Sequence, residues 1–593
     1  MPPSQSREPY DGSSRKLVLA LDVGTTFSGI SYAILDPGEV PKILTVTSYP
    51  GQTSTGGDSK IPSVMYYDDE GVVQAVGQEA ENLAESGEAE EMEWIRVQWR
   101  LCLRPKMLNA PRIADDLLSR LPVFKTIIDV FADFLSYLFT CAKDYIRTAH
   151  AAGDALLRSL EGNIDFVMGH PNGWGGLQQQ RMRKAAVEAG LVPDMKAAED
   201  RIQFVTEGEA SLYYCLENGL SSDAIKPDNK IMIVDAGGGT IDLSSYRITK
   251  AKPIKVEEVA IPGCRVHGSV FVNERATAFL FEKLKGSIYD DPQDIDNIVR
   301  SFEKTVKRRF KASNETVHIR FGSRNDNDPE YGISKGIMKL TGNEVSQFFN
   351  PSVDAIVDAV QEQRRQEGDI KLQTIFFVGG FAANDYLFSK LRGELAGTGI
   401  EISRPNGYTN KAVADGALVF YMDHVVCTRV ARTMYGTKTS VAYDPNQWEH
   451  KMRSHSIFSW PSGRKALPHA YTLMVIKGSK INTEEEYVSD LFREAIDPDT
   501  IIYGLESEAV VAYSGASTYP QWTDVEPESY HTLCTIRADV SQAVQCLKPM
   551  LGPRRQIYYR FDFKIVLKFG LTELKAYTAW TENVSSRLVY RPR

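Results

Sequence analysis

Two short stretches, at residues 19–28 and 233–242, carry the same chemistry. Leu19-Ala20-Leu21-Asp22-Val23-Gly24-Thr25-Thr26-Phe27-Ser28 and Ile233-Val234-Asp235-Ala236-Gly237-Gly238-Gly239-Thr240-Ile241-Asp242 each read as an apolar strand that ends in an aspartate and breaks into a Gly/Thr turn. Glycine lets main-chain N–H groups approach phosphate oxygens, threonine adds a hydroxyl donor, and aspartate supplies an oxygen ligand for hydrated magnesium. A phosphate chain with its metal needs such a turn on both sides. The pair therefore reads as a nucleotide clamp between two lobes, and Val378-Gly379-Gly380-Phe381 adds a third strand-Gly-Gly-helix element.

The elements that must position these turns alternate along the chain. Strands are expected at Leu17 to Val23, Ser28 to Ile34, Lys42 to Val46 and Ile61 to Tyr67, with a loop over Gln52 to Lys60. Apolar residues three and four apart between Pro122 and His150 predict a long amphipathic helix. Strand and helix signals then alternate: strand Ile164 to Gly169, helix Leu177 to Gly190, strand Ile202 to Val205, helix Glu207 to Asn218, and a polar stretch over Ser221 to Asn229. Helical patterns follow at Val270 to Lys285, Ile295 to Ala312 and Glu344 to Gln366, the last bent at Pro351. A strand at Thr374 to Val378 opens a helix from Ala383, and a final helix runs from Lys411 to about Cys427. Beyond it the pattern turns to strands, at Tyr471 to Lys477, Ala509 to Tyr513, Tyr530 to Ile536 and Ile557 to Phe569.

At 593 residues the chain exceeds a single hydrophobic core, and roughly three or four structural units of about 100–200 residues each are expected. Hydrophobic content of 42% and charged content of 24% are those of a soluble globular protein. No apolar run reaches the roughly 18 residues of a membrane span, and residues 1–15 are polar, so a cytoplasmic chain without membrane contact is expected. The seven cysteines contain no C-x-x-C pair and read as reduced thiols. A net charge of −9 argues against a nucleic-acid binder. The nine histidines have no metal-ligand spacing, and His170 reads as a satisfied strand-end residue.

With three glycine elements in this order, the chain resembles the actin-like ATPase superfamily and, within it, the nucleotide-binding domain of the heat-shock 70 kDa (DnaK-like) chaperones. Four stretches over about residues 16–425 support the narrower resemblance: Phe166 to Pro171 with Gln180 to Leu191, Val205-Thr206-Glu207-Gly208-Glu209-Ala210-Ser211, Lys307-Arg308-Arg309-Phe310, and Ala412 to Ala417. The resemblance implies an α/β, two-lobed actin-like ATPase fold, a duplicated ribonuclease-H-like architecture, and the strand pattern beyond it adds a C-terminal β-rich domain. The expected boundaries are a disordered tail at 1–15, lobe I at 16–225, lobe II with a return helix to lobe I at 226–427, and the β-rich domain at 428–593. The resemblance also implies ATP or ADP with Mg2+ as ligands. Asp22 and Asp235 would hold the metal, mainly through its waters. Thr25, Thr26 and the amides of Gly237, Gly238 and Gly239 would grip the phosphates, Thr240 would approach the γ-phosphate, and Glu207 and Asp242 would orient the attacking water. Gly24, Phe27, Arg100, Gly268, Lys307, Arg308, Gly379, Gly380 and Phe381 complete the implied nucleotide contacts.

The chain departs from the family's pattern in several places. Arg100, in Gln98-Trp99-Arg100-Leu101, is the nearest match to the family's phosphate-contacting lysine; it keeps the charge without the compact ammonium, which implies slow turnover. Gly208 replaces a hinge proline, His267-Gly268-Ser269-Val270 replaces Gly-Gly-Glu-Asp, and Ala383 replaces the base-stacking arginine, leaving Phe381 as an aromatic face. The region from about 428 is neither long enough nor patterned for a peptide-binding sandwich plus helical lid. The closest match is a divergent branch that keeps the ATPase core. The expected function is slow, magnesium-dependent ATP hydrolysis whose nucleotide state sets cleft opening, in a chaperone-like or regulatory role with client proteins or co-chaperones as possible partners. The alternatives are a sugar or polyol kinase of the same superfamily and a non-hydrolysing, nucleotide-dependent scaffold.

Overall fold

The computed structural model of the protein describes residues 7–52, 59–105, 121–218, 225–366, 371–405, 409–505, 508–570, 572–581 and 588–590. The chain divides into two compact units, Met1–Val425 and Val426–Arg593.

The first unit is a mixed α/β structure built on two sheets with matching connectivity. In one sheet, β1 (Lys16–Val23) runs antiparallel to β2 (Phe27–Leu35) and parallel to β3 (Ile164–His170), which is parallel in turn to β4 (Ile202–Thr206). In the other, β5 (Lys230–Ala236) runs antiparallel to β6 (Ile241–Ala251) and parallel to β8 (Thr374–Val378), with β7 (Ile254–Glu258) beside β6 and β9 (Glu401–Ser403) beside β8. The continuous apolar runs of β1 and β5 are what a strand buried on both faces requires, and all but the first residue of each is buried. Register puts Asp22 opposite Gly29 and Asp235 opposite Asp242. Each aspartate thus stands at the same station of a strand pair.

Helices close each sheet. α1 (Ile127–Ala149) starts at Thr126, whose hydroxyl accepts from Asp129 N while Asp129 accepts from Thr126 N. It buries Phe131, Phe134, Leu135 and Leu138 in one core with Leu19, Leu21, Phe166 and Met168. α2 (Glu207–Asn218) follows β4 directly. The second core gathers Met232, Val234, Leu243 and Phe377 with residues of α3 (Val270–Lys283), α4 (Pro292–Ser301), α5 (Gly342–Arg365) and α6 (Asp385–Leu395). α7 (Ala412–Asp423) lies so close to α2 that a β-carbon on Gly416 would fall 1.8 Å from Ala210 O. Asp415 of α7 accepts from Ser31 Oγ on β2, which fixes the helix on the first sheet.

The second unit holds two antiparallel sheets. β10 (Met434–Ala442), β11 (Lys465–Val475), β13 (Glu508–Tyr513) and β14 (Tyr530–Ile536) form one, with Phe458–Ser459 on its edge. β12 (Glu486–Ala495), β15 (Ile557–Gly570) and β16 (Glu573–Thr581) form the other, with Leu588–Tyr590 and Met550–Leu551 beside them. Val475, Val510 and Ile536 of the first pack in one core with Ala495, Phe561, Phe563, Ile565, Leu567 and Trp580 of the second. Two antiparallel sheets thus share one core in the region the sequence reads as β-rich, and the β10 and β12 runs carry too little alternation to be recognised as strands from sequence. The longest helix among its described residues is Pro498–Leu505.

Other elements also differ from expectation. Residues 7–15 are not a loose tail: Tyr10 N donates to Glu39 O at 2.9 Å, Gly38 N donates to Tyr10 O at 2.8 Å, and Arg7 Nε donates to Asp423 Oδ1 at 3.1 Å. Residues 1–6 lie outside the described residues, as do 53–58 of the expected loop and 221–224 of the expected polar stretch. The helix expected to reach Cys427 ends at Asp423, where His424 turns left-handed at φ 41°, and Cys427 lies in the strand Val426–Val430. The segment expected as one helix from Ile295 to Ala312 is α4 followed by a wide π-helical turn, Phe302–Lys307. Such turns occur preferentially at functional sites.

Candidate functional site

The turn between β1 and β2 needs glycine at its first position, since a β-carbon on Gly24 would lie 2.1 Å from Phe27 O. In the turn between β5 and β6, Gly237 N donates to Thr240 O at 2.9 Å. The two turns meet. A β-carbon on Gly238 would sit 2.4 Å from Thr26 Oγ1, and one on Gly239 2.5 Å from Thr25 Oγ1, so only bare backbone fits between them. Residues 268–270 strap the second turn from behind: Gly268 N donates to Gly239 O at 3.2 Å, Ser269 N to Gly237 O at 3.1 Å and Val270 N to Gly238 O at 2.9 Å.

A cavity of about 530 Å3 opens at these turns, within the range of about 300–1,000 Å3 usual for small-ligand sites. Asp22, Gly24, Thr25, Thr26 and Phe27 line it from the first turn, and Asp235, Gly237, Gly238 and Thr240 from the second. Arg100, Glu207, Lys307, Arg308, Gly379, Gly380 and Phe381 also line it. Three expected residues do not: Gly239 and Gly268 stack behind the turn, and Asp242 is fully buried beneath it, with Oδ1 accepting from Asn172 N at 2.6 Å. Asp242 is thus a support of the site rather than part of its wall.

The wall carries four acidic side chains, Asp22, Glu207, Asp235 and Glu303, and four basic ones, Lys60, Arg100, Lys307 and Arg308. Lys60 Nζ stands 2.5 Å from Asp22 Oδ2, and Arg100 pairs with Glu207 through Nη2 while Nη1 lies 3.5 Å from Thr25 Oγ1. Asp235 Oδ2 accepts from the Ser211 hydroxyl at 2.6 Å, and among the described residues no cation pairs with it. Burial and then the neighbouring Glu207 raise Asp235 from the usual carboxylate range to about 7. Burial also raises Glu207, against the opposing pull of Arg100, and burial followed by Glu207 raises Asp242 well above the ordinary range. Of the four acids in the wall, Asp22 and Asp235 belong to the two strands that lead into the turns. Among the described residues no three His, Cys, Asp or Glu side chains cluster as a direct metal cage. Two carboxylates facing a cavity fit magnesium, which keeps most of its waters and takes further oxygens from phosphate.

The π-helical turn sets Glu303 and Lys307 into the wall, with Lys307 Nζ 3.1 Å from Glu303 Oε1. Burial lowers Lys307, and although burial would raise Glu303, Lys307 and Asn273 hold it below its usual value. Asn384 Nδ2 donates to Lys307 O at 2.7 Å, tying this turn to the segment after β8. Gly379 takes φ +92°, and a β-carbon there would meet Asp235 Oδ1 at 2.4 Å, so this glycine is required on both counts. Phe381 is 4% exposed and packs with Phe349 at 6.2 Å between centroids, so most of its ring belongs to the core rather than to an open stacking face.

Sequence reasoning missed Lys60, Asn172, Glu303 and Asn384, and gave no role to Ser211 and Ser269, which stand inside stretches it singled out. Lys60 is a lone cation at the end of a polar loop, with no motif to mark it. Asn172 follows the strand-end pair His170-Pro171, and His170 is itself buried, 2.9 Å from Pro171 O and 3.1 Å from Gln179 Nε2. Gly208 has a packing reason not evident in sequence: a β-carbon there would lie 2.5 Å from Ser244 Oγ and 3.0 Å from Asn172 Nδ2.

No family model matches the chain. It is 20% identical over 442 residues to heat shock 70 kDa protein 12A of Mus musculus, covering 62% of this chain and 64% of that protein. It is 20% identical over 501 residues to heat shock 70 kDa protein 12B of Homo sapiens, covering 70% and 71%. A third match, 27% identical over 263 residues, is the chaperone protein HscA of Proteus mirabilis, covering 42% of this chain and 35% of that protein. The relationship to the heat-shock 70 kDa proteins is distant. The chain spans less than two thirds of the mouse protein's length. Among the described residues no helix is long and apolar enough to cross a membrane.

Proposed function

We propose that this chain is an actin-like nucleotide-binding protein that takes ATP or ADP with magnesium in the cavity of its first unit and hydrolyses ATP slowly. The observation that carries this reading is the direct contact of the two glycine turns beside the cavity. Thr25, Thr26 and Thr240 line one space together with Gly24, Gly237 and Gly238, the residue types that polyphosphate binding uses. A bound magnesium ion would neutralise phosphate charge, with Asp22 and Asp235 holding its waters. Glu207 would position the attacking water and accept its hydrogen bond, and Thr240 would orient the terminal phosphoryl group. The chemistry is positioning and charge neutralisation without a covalent step.

The matched pairing of the two sheets supports a two-lobed, duplicated architecture, with α7 as the return helix on the first sheet. A chaperone-like or regulatory role, in which nucleotide state sets cleft opening, follows by analogy with the distant relatives. One observation favours a second reading, a nucleotide-dependent scaffold that does not hydrolyse: Arg100 is paired to the same carboxyl that would orient the water. Calorimetry with ATP and ADP in magnesium buffer tests the binding. Single-turnover hydrolysis of radiolabelled ATP separates the two readings, since a scaffold leaves the label intact. Asp22→Asn and Asp235→Asn are each expected to raise the magnesium concentration needed for half its effect by about 10- to 100-fold; unchanged magnesium titrations in both would remove the metal assignment.

A further inference from the structure

Lys60 is the cation that motif reasoning did not find, and its placement is built rather than incidental. Its stem runs over Gly29, the residue directly across the ladder from Asp22: a β-carbon at position 29 would lie 3.0 Å from Lys60 Cγ and 3.6 Å from Cε. The next residue, Ile61, is held by pairing with Ser28, and Gln52 Nε2 donates to Lys60 O at 3.0 Å. Backbone and stem are thus fixed, and the ammonium is delivered to Asp22 Oδ2 at 2.5 Å. Its side chain keeps 18% exposure, against 5% for Asp22, and it lines the same cavity as Thr25, Thr26, Gly237 and Gly238.

The neighbouring cation is differently engaged. Arg100 is bound to Glu207 and lies over the Trp174 ring at 5.4 Å, with 6% of its side chain exposed. An ammonium has three donors, so Lys60 can keep Asp22 and still donate to a phosphate oxygen. Asp22 is also one of the two carboxylates expected to hold the metal's waters, so a fixed monovalent charge already stands where part of the divalent charge would act.

We propose that Lys60 is a tethered cation for the nucleotide's phosphates, so that this chain binds nucleoside di- and triphosphates without a divalent ion. The proposal rests on the nucleotide reading above. It goes beyond it by assigning to a side chain part of the neutralisation otherwise left to magnesium.

The test is calorimetric titration of the full chain with ADP, in magnesium and in EDTA, for the wild type, Lys60→Gln and Lys60→Arg. Glutamine keeps a donor for Asp22 but removes the charge, and arginine restores it. Chelation should weaken wild-type binding by less than about tenfold, and should weaken Lys60→Gln by about 10- to 100-fold more than that, the size of one lost charge-assisted contact. Lys60→Arg should follow the wild type. A merely structural lysine would lower affinity equally in both buffers, and equal losses on chelation in wild type and Lys60→Gln overturn the proposal while leaving the nucleotide reading standing. Absence of ADP uptake by the wild type in magnesium overturns both. Circular dichroism checks the variants, and should Lys60→Gln not fold, the wild type alone decides: a loss beyond about 1,000-fold on chelation overturns the proposal.

Discussion

Asp22 and Asp235 stand at the same station in two strand pairs of the same connectivity, yet their surroundings are opposite in kind. Asp22 meets an ammonium at 2.5 Å. Asp235 meets a hydroxyl, the neighbouring Glu207 and the close backbone of Gly379, and is raised to about 7. The turns differ to match. The first carries one glycine and two threonines, and the second carries three glycines into which those threonines press. Duplication of a backbone pattern thus preserves where a carboxylate is placed without preserving its charge state. One half of the site has its charge already balanced and the other half is left to be balanced by what binds.

The largest expected effect comes from Arg100, which joins Thr25 of the first turn to Glu207, the carboxyl that raises Asp235. Arg100→Ala leaves a buried carboxyl without its cation and should destabilise the protein by about 3–5 kcal/mol in urea unfolding, with Arg100→Lys costing less. A loss under about 1 kcal/mol would show that the pair is solvated and that Glu207 does not depend on it.

The comparison of aspartates predicts opposite signs. Asp22→Asn strands the charge of Lys60 and should lower the melting temperature of the ligand-free protein. Asp235→Asn removes a carboxylate that the fold disfavours and should raise it. Because the folded pKa of Asp235 lies above its unfolded value, this group's destabilising effect is complete above about pH 7 and is relieved as pH falls from there toward the unfolded range near 3.8. The gain from Asp235→Asn should accordingly be on the order of a few kcal/mol at pH 8 and should shrink toward pH 5. A difference between variant and wild type that does not change with pH would contradict the asymmetry.

A smaller effect tests whether the turns touch. Gly238→Ala should cost about 1–3 kcal/mol and weaken nucleotide binding, because its β-carbon meets Thr26 of the other turn. Gly237→Ala, whose β-carbon would meet Thr240 O at 3.2 Å, should cost less. Equal costs at the two positions would mean that the turns separate freely.

Much of this site was legible because its residues are contiguous in sequence. A strand's apolar run, an aspartate and a Gly/Thr turn occur within ten residues, and strands such as Thr374–Val378 and Tyr530–Ile536 coincide with their expected bounds. Residues brought in from a distance left no such mark. Lys60 reaches Asp22 across 38 positions and Asn172 reaches Asp242 across 70. The break in the helix after Ser301 was equally hidden, because a π-helical turn keeps an apolar spacing close to that of the helix before it.

The sequence by itself determined the local parts: which segments extend, where they turn, and which side chains at those turns suit phosphate and metal, since backbone preference and periodicity act over a few residues. Tertiary structure alone decided that the two turns meet, that Asp242 lies beneath the wall rather than in it, and that Asp22 has a cationic partner which Asp235 lacks. Charge balance is a sum over neighbours in space, and a chain read in order does not contain that sum until it is folded.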